Sequence, residues 1–417
     1  MKYLLAFFVF PIMLFASTPR CEYAALNNGI KVILVKVSEN PVISSTVVVK
    51  VGLKHETDKI NGISHLLEHL MFNGTEKRTQ RQLYDDFDAI GCYNNASTSD
   101  HYTAYYVLTS KENFEKGIEI QSDMLFHSII PENKIEKEKG IVIEEIRKDK
   151  MSPMFYENMA FRKSLFKGTP YQMKVIGTEE SVKSLKRETI WNFYKKYYSP
   201  ENVVILIAGD FDKNRVLSYL NSYFGTVKPA NIEKKNWKIK WGKEFEKVNE
   251  PHLPYNVLYF VIKGVKADSS EFAFQECYAE LFNSTLSKAL MDIDPQMSVS
   301  TEYTDDYGLI VVRVKVKDEN VMKKVREKIV SVIDNPDFIK EEKIKEYKVS
   351  KKADTIFSLE RPHFFGMLQA PFIAAGCTDL IYFDRVDLKS MKVFGEKVKK
   401  FEKKAVYIEG KKNDEKN

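Results

Sequence analysis

Nine residues, His65-Leu66-Leu67-Glu68-His69-Leu70-Met71-Phe72-Asn73, restrict the possible folds and chemistries of this chain more tightly than any other stretch. Read as a helix, they put His65, Glu68 and His69 on one face, one turn apart. Leu66, Leu67, Leu70 and Met71 cover much of the remaining surface, so the helix is expected to be buried. Buried imidazoles and a buried carboxylate cost free energy unless they are paired. Hydrogen-bonded core histidines would satisfy that requirement; so would a metal ion. Two neutral imidazoles one turn apart can reach one Zn2+, for which imidazole is a common ligand. Glu68 then lies near the metal without having to bind it, which suits a general base for a zinc-bound water.

A catalytic zinc takes three protein ligands and leaves one position open. The stretch 136–147 also reads as a helix, and Glu138, Ile141 and Glu145 share one of its faces. Lys137, Glu144 and Lys148 share another, fully charged and solvated. Glu145, pointing inward with Ile141, is therefore expected as the third ligand. Glu138 is expected as a carboxylate behind the ligands that orients them. Glu144 is expected to pair with Lys148 in water.

The order H-x-x-E-H inverts the commoner zinc-peptidase order H-E-x-x-H. With a glutamate 76 residues after the second histidine (His69 to Glu145), the chain resembles the pitrilysin/insulinase family of metallopeptidases, which includes mitochondrial processing peptidase. The resemblance implies one zinc per chain at His65, His69 and Glu145, with Glu68 as base and Glu138 in support. It also implies an α+β fold of two tandem homologous α/β-sandwich domains forming half of a clamshell chamber. The segment containing Asn95, Ala96 and Thr98 resembles the family's edge strand, which pairs with an extended substrate backbone. An ordinary strand edge is the other reading of those residues. His101, where the family more often has an acid, is read as a polar-face strand residue rather than a ligand.

Residues 1–16 carry one basic residue, an apolar core and small residues after it, the pattern of a secretory signal peptide. This core is short for a membrane span, and no later stretch reaches 18 apolar residues, so an exported, periplasmic protein without a stable span is expected. Export permits disulfides, but Cys21, Cys92, Cys277 and Cys377 are far apart and form no C-x-x-C metal motif. The net charge of +6 is spread over alternating Lys and Glu, with no basic stripe interleaved with aromatics, so no nucleic-acid site is expected. Seven scattered histidines do not suit a zinc-storage protein.

The expected domains are 17–227, bearing the metal, and 251–417, without it, joined by a polar, Lys-rich linker at 228–250. Asn28-Gly29 marks a hairpin, residues 42–51 a central strand, and Gly74 a left-handed cap ending the His65 helix. The run Phe260-Val261-Ile262-Lys263-Gly264, followed by a loop and the apolar stretch ending at Phe282-Asn283, repeats the arrangement around Val48–Asn73. This second copy has Glu276 and Glu280 but no histidine. The family's oxyanion-binding Arg and Tyr have no counterpart at 286–300; Tyr303, Tyr307 and Arg313 lie beyond it. The resulting expectation is a zinc endopeptidase for unfolded peptides, completed by a sister subunit that supplies the Arg/Tyr pair, in preference to a homodimer. The alternative is a non-catalytic assembly subunit of the same fold.

Overall fold

A β-branched run builds the middle of the first sheet. The computed structural model describes residues 20–411 apart from 231 and 378, so the expected signal peptide at 1–16 lies outside the described residues. Strands β1 (Cys21–Ala25), β2 (Lys31–Lys36), β3 (Val42–Val49), β4 (Tyr93–Thr98), β5 (Thr103–Ser110) and β6 (Val203–Gly209) form one sheet in the order β1-β2-β6-β3-β5-β4. β3 is buried along nearly its whole length, as its Val-rich sequence requires of a central strand covered on both faces. The β1–β2 hairpin turns at Gly29, whose φ of 90° suits the Asn-Gly turn.

Strands β7 (Phe245–Asn249), β8 (Asn256–Lys263), β9 (Ser298–Tyr303), β10 (Gly308–Val316) and β11 (Lys403–Glu409) form a second sheet in the order β7-β11-β8-β10-β9. That order repeats β2-β6-β3-β5-β4, and the pairings repeat too: β2/β6 and β7/β11 are parallel, the rest antiparallel. The internal repeat seen in the sequence is thus a repeated fold. Residues 245–249, assigned to the linker from their Lys-rich composition, instead form β7. Trp241, also in that stretch, is buried.

The first half carries helices α1 (Ile63–Met71), α2 (Gln80–Ala89), α3 (Phe114–Phe126), α4 (Glu132–Lys150), α5 (Pro153–Leu165), α6 (Glu179–Ser184), α7 (Arg187–Tyr197) and α8 (Lys213–Tyr223). The second carries α9 (Phe272–Ala289), α10 (Glu319–Asp334), α11 (Glu341–Glu360), α12 (Pro362–Ala374) and α13 (Leu388–Lys400). One face of the first sheet (Val32, Leu34, Val47, Val49) packs under α1, α3, α7 and α8. Its other face (Ile33, Val35, Val48, Leu206) is covered by Phe365, Ala370 and Ile373 of α12, from the second half. Reciprocally, Ala160, Phe161 and Leu165 of α5 cover Val257, Tyr259 and Val261 of the second sheet. Each half therefore closes the core of the other.

Two local expectations change. Helix α1 ends at Phe72 with ordinary negative φ, and Gly74 (φ 134°) instead forms a bridge to Thr79. His101 lies in the turn between β4 and β5, not on a strand face; it is buried, with Nε2 3.2 Å from the Pro371 carbonyl of α12. None of the four cysteines is in a disulfide, and no helix among the described residues is long and apolar enough to cross a membrane.

Candidate metal centre

Helix α1 is held by its apolar residues. Ile63, Leu66, Leu67, Leu70 and Met71 are fully buried, and burial of each such side chain contributes roughly 1.5–3 kcal/mol. That stripe leaves His65, Glu68 and His69 together on the face turned toward α4 and β4. The two imidazole rings lie with centroids 4.8 Å apart. Glu145 Oε2, from α4, is 3.8 Å from Nε2 of both His65 and His69. Ligand atoms of these three residues all lie within 4.8 Å of one another, the only such group among the described residues. Glu138, also on α4, meets the other nitrogen of His69: Oε2 is 3.4 Å from Nδ1. A proton on Nδ1 shared with Glu138 leaves the Nε2 lone pair free toward Glu145. Two imidazoles and a carboxylate are a zinc donor set, so these residues fit the ion.

Burial, then the neighbouring His69, pulls the His65 imidazole down to about 4, so it is neutral at pH 7 as a ligand must be. Burial pulls His69 the same way, but the Glu138 hydrogen bond and the Glu145 and Glu68 charges outweigh it, and the net direction is up. Burial pushes the Glu68 carboxyl up and the nearby Glu145 charge adds to this, against the Thr98 hydrogen bond and His69. Burial would raise Glu138 as well, yet hydrogen bonds from His69 and Asn73 hold it below the usual carboxylate range. Glu68 is thus a carboxylate of enhanced basicity beside the ligand group but outside it.

Thr98 Oγ1 donates to Glu68 Oε2, so Thr98 of β4 touches the expected base directly. Asn95 and Ala96 lie on the same strand, which is the outer edge of the first sheet. Ala96 N is taken by Asn95 Oδ1 at 2.9 Å. Asn73 ties the end of α1 to α2, its Nδ2 donating to the His69 carbonyl and its Oδ1 accepting from Gln80, both at 2.8 Å. A cavity of about 390 Å3 opens on the His65 side, with Thr98, Asp149, Arg162, Lys174 and Glu302 in its wall. Glu302 comes from β9, so the second half helps shape the site. A second cavity of about 270 Å3 lies on the Glu68–His69 side, against Phe72, Tyr84 and Ala96.

Helix α4 departs from expectation at Ile141 and Glu144. Glu138 and Glu145 do face α1, but Ile141 is 39% exposed. The buried stripe runs through Ile135, Val142 and Ile146 instead, and Ile141 lies with Lys137, Gly140 and Glu144 on the open face of α4. Glu144 is solvated as expected, but its partner is Arg147 (2.6 Å), not Lys148. Arg313 and the two tyrosines beyond 286–300 are engaged elsewhere. Arg313 is bound to Glu157, Tyr303 packs on Phe272 and Phe372, and Tyr307 is buried against Phe166 and Tyr171.

The sequence profile described as Insulinase (Peptidase family M16) matches residues 31–179, and that of the Peptidase M16 inactive domain matches 184–352. The chain belongs to the insulinase family, peptidase family M16. The first profile contains His65, Glu68, His69 and Glu145, and the second covers most of the half that lacks histidine ligands. An uncharacterized zinc protease of Bacillus subtilis is 32% identical over 232 residues, 54% of this chain and 56% of that protein. A probable mitochondrial-processing peptidase subunit beta of Schizosaccharomyces pombe is 30% identical over 224 residues, 52% and 48% of the two chains. The matched part thus spans about half the length of these curated M16 relatives. Among solved structures, a protease from Helicobacter pylori shares the fold over 94% of this chain and 100% of that chain, with TM-score 0.82 and 21% identity. The first half of the periplasmic protease PqqL from Escherichia coli shares it over 94% and 92%, with TM-score 0.75 and 19% identity.

One further residue, absent from the sequence-derived candidates, bears directly on the site. Glu56 is buried, and its carboxylate receives the first N–H groups of α1. The available signal was indirect: α1 starts at Gly62, which has no capping side chain, so its leading N–H groups need an acceptor from elsewhere.

Proposed function

We propose that this chain is a zinc-dependent endopeptidase that hydrolyses unfolded polypeptide segments in the periplasm, as the metal-bearing half of a hetero-oligomer. The observation that carries the reading is the convergence of His65, His69 and Glu145 with a fourth group, Glu68, beside but outside the ligand set. Zinc held there would polarise a scissile carbonyl and acidify a water. Glu68 takes the proton from the attacking water and returns it to the leaving amine, with Thr98 fixing the carboxylate. The substrate backbone adds as a strand to the β4 edge at Asn95 and Ala96, with the Ala96 N–H exchanging Asn95 Oδ1 for a substrate carbonyl. Glu138 holds His69 in the tautomer that the metal requires. Support for a periplasmic site is the apolar segment at 1–16 and the shared fold with PqqL, a periplasmic protease.

The second reading, a non-catalytic subunit, is favoured by relatives named as subunits of the cytochrome b-c1 complex. Cytochrome b-c1 complex subunit 1 of Rattus norvegicus is 28% identical over 214 residues, 51% of this chain and 44% of that protein. The intact ligand set and base weigh against it. The deciding experiment is hydrolysis of an unstructured fluorogenic peptide by the zinc-loaded chain and by Glu68→Gln, with metal content measured on both. Glu68→Gln is expected to keep one zinc and to lose activity by about a hundredfold or more. Activity of Glu68→Gln near that of the unaltered chain would remove Glu68 as the base.

A further inference from the structure

The ligands sit on two helices, so their convergence depends on what fixes α1 against α4. Helix α1 starts at Gly62, in the left-handed region with φ 91° and without a side-chain cap. Its first N–H groups have no partner within the helix. Glu56, six residues earlier and buried, supplies the acceptors. Its Oε2 accepts from Gly62 N at 2.8 Å and from Asn61 Nδ2 at 3.0 Å, and its Oε1 accepts from Ser64 N at 3.0 Å. The carboxyl group, which burial pushes up to about 7 against these hydrogen bonds, thus sits at the positive end of the helix that carries His65 and His69.

The same entry point is tied to the second ligand helix. Asn61 Nδ2 also donates to the Lys174 carbonyl at 2.8 Å, and the Asn61 carbonyl accepts from Ser181 Oγ at 2.7 Å. The Lys174 ammonium donates to Asp149 Oδ2 at 2.6 Å. Asp149 lies on α4 four residues after Glu145, one turn further along the same face. The backbones meet without room for side chains: a Cβ on Gly62 would lie 2.8 Å from the Ile176 carbonyl oxygen, and one on Gly177 (φ 82°) 2.6 Å from the Asn61 carbonyl oxygen. The contacts run without a break from the first turn of α1 to the last turns of α4. A single neutral cap would satisfy the helix end without this extension, so capping alone does not account for the arrangement.

We propose that Glu56, Asn61 and the Lys174–Asp149 pair are positioning residues that hold His65 and His69 at the distance from Glu145 which a metal ion requires. The proposal rests on the reading of those three residues as a zinc site. Two variants of the full chain test it, Glu56→Gln and Lys174→Met. Glu56→Gln keeps the side-chain size but turns one acceptor into a donor facing N–H groups. Lys174→Met removes the tie to α4 together with the ammonium's contact with the Phe155 ring. Zinc affinity is measured by competition with a chelator, and the unfolding midpoint is measured on the metal-free proteins. Both variants are expected to bind zinc about tenfold to hundredfold more weakly, the range seen when groups orienting metal ligands are removed. Lys174→Met is expected to do so with its metal-free midpoint nearly unchanged, a combination that a purely structural role would not produce. Zinc affinity equal to that of the unaltered chain, in either variant that folds, overturns the proposal. If Glu56→Gln does not fold, Lys174→Met decides alone. Failure of the unaltered chain to bind zinc at all would instead sink the metal-site reading, and the positioning role with it.

Discussion

Glu144 and Glu145 are adjacent, yet α4 turns them to different surroundings. Glu145 lies 3.8 Å from both ligand imidazoles, while Glu144 is on the solvated face with Arg147. Glu145→Gln is therefore expected to abolish tight zinc retention after dialysis against chelator, and Glu144→Gln to leave it intact. The reverse result would show that the helix turns its other acid to the metal. The roles of His65, Glu68, His69 and Glu145 could be proposed from sequence because helix periodicity fixes which side chains share a face, and an apolar background exposes the exceptions. Ile141 departs from expectation because periodicity gives an angle around the axis and not what stands opposite: the ligand imidazoles of α1 face Glu138 and Glu145, while Ile141 is exposed. Glu56 could not be read because its role depends on a 3-10 turn folding back over the start of α1, a tertiary arrangement with no periodic signature. Thr98 was assigned to an edge strand, and its contact with Glu68 required knowing how β4 lies across α1.

Elements were read reliably where local chemistry decided them. The β-branched run of β3 and the Asn-Gly turn both appear where the residues call for them. The exchange of α5 and α12 between halves was not readable, because each is buried against a sheet far away in the chain. That exchange is pinned by a buried ion pair. Glu157 of α5 receives two hydrogen bonds from Arg313 of β10, at 2.5 and 2.9 Å, and one each from Tyr255 and Tyr259. Burial would raise its carboxyl, but the Arg313 and tyrosine hydrogen bonds outweigh this and hold it below the ordinary value of 4.5. A carboxyl depressed in the folded state stabilises the fold above its unfolded pKa, and that contribution fades as pH falls through the folded value. Glu157→Gln strands the Arg313 charge and is expected to cost about 3 kcal/mol in denaturant unfolding near neutral pH. The gap between the two proteins should be full above pH 4.5 and should close below it. A gap unchanged down to the acid limit of folding would show that the carboxylate charge is not what matters.

At the scale of the whole molecule, the proposed metal face is furnished, while the Arg and Tyr expected opposite it are missing from 286–300. The proposed ligands, base and orienting acid come from the first half, while the second half lends Glu302 to one cavity wall and has no Arg or Tyr at 286–300. The groups just beyond are committed: Arg313 to Glu157, Tyr303 to Phe272 and Phe372, and Tyr307 to a buried aromatic cluster. Arg313 and Tyr307 cannot turn to a scissile carbonyl without breaking the contact between the halves, and Tyr303 cannot without leaving Phe272 and Phe372. Loss of one oxyanion donor typically costs about a hundredfold to a thousandfold in rate. A lone chain, or a pair of identical ones, should therefore be a slow peptidase even with zinc in place. A second chain of the same fold that carries an Arg and a Tyr facing the Glu68 side would supply the donors and enclose the substrate strand on β4. Adding such a partner is expected to raise kcat by about a hundredfold or more, with little change in zinc content, and Arg→Ala in the partner should remove the gain. The assay is hydrolysis of one unstructured peptide by this chain alone, by the partner alone and by the mixture, at matched zinc occupancy. Full activity from this chain alone, not raised by the partner, would mean that the chain finds its oxyanion donors within itself.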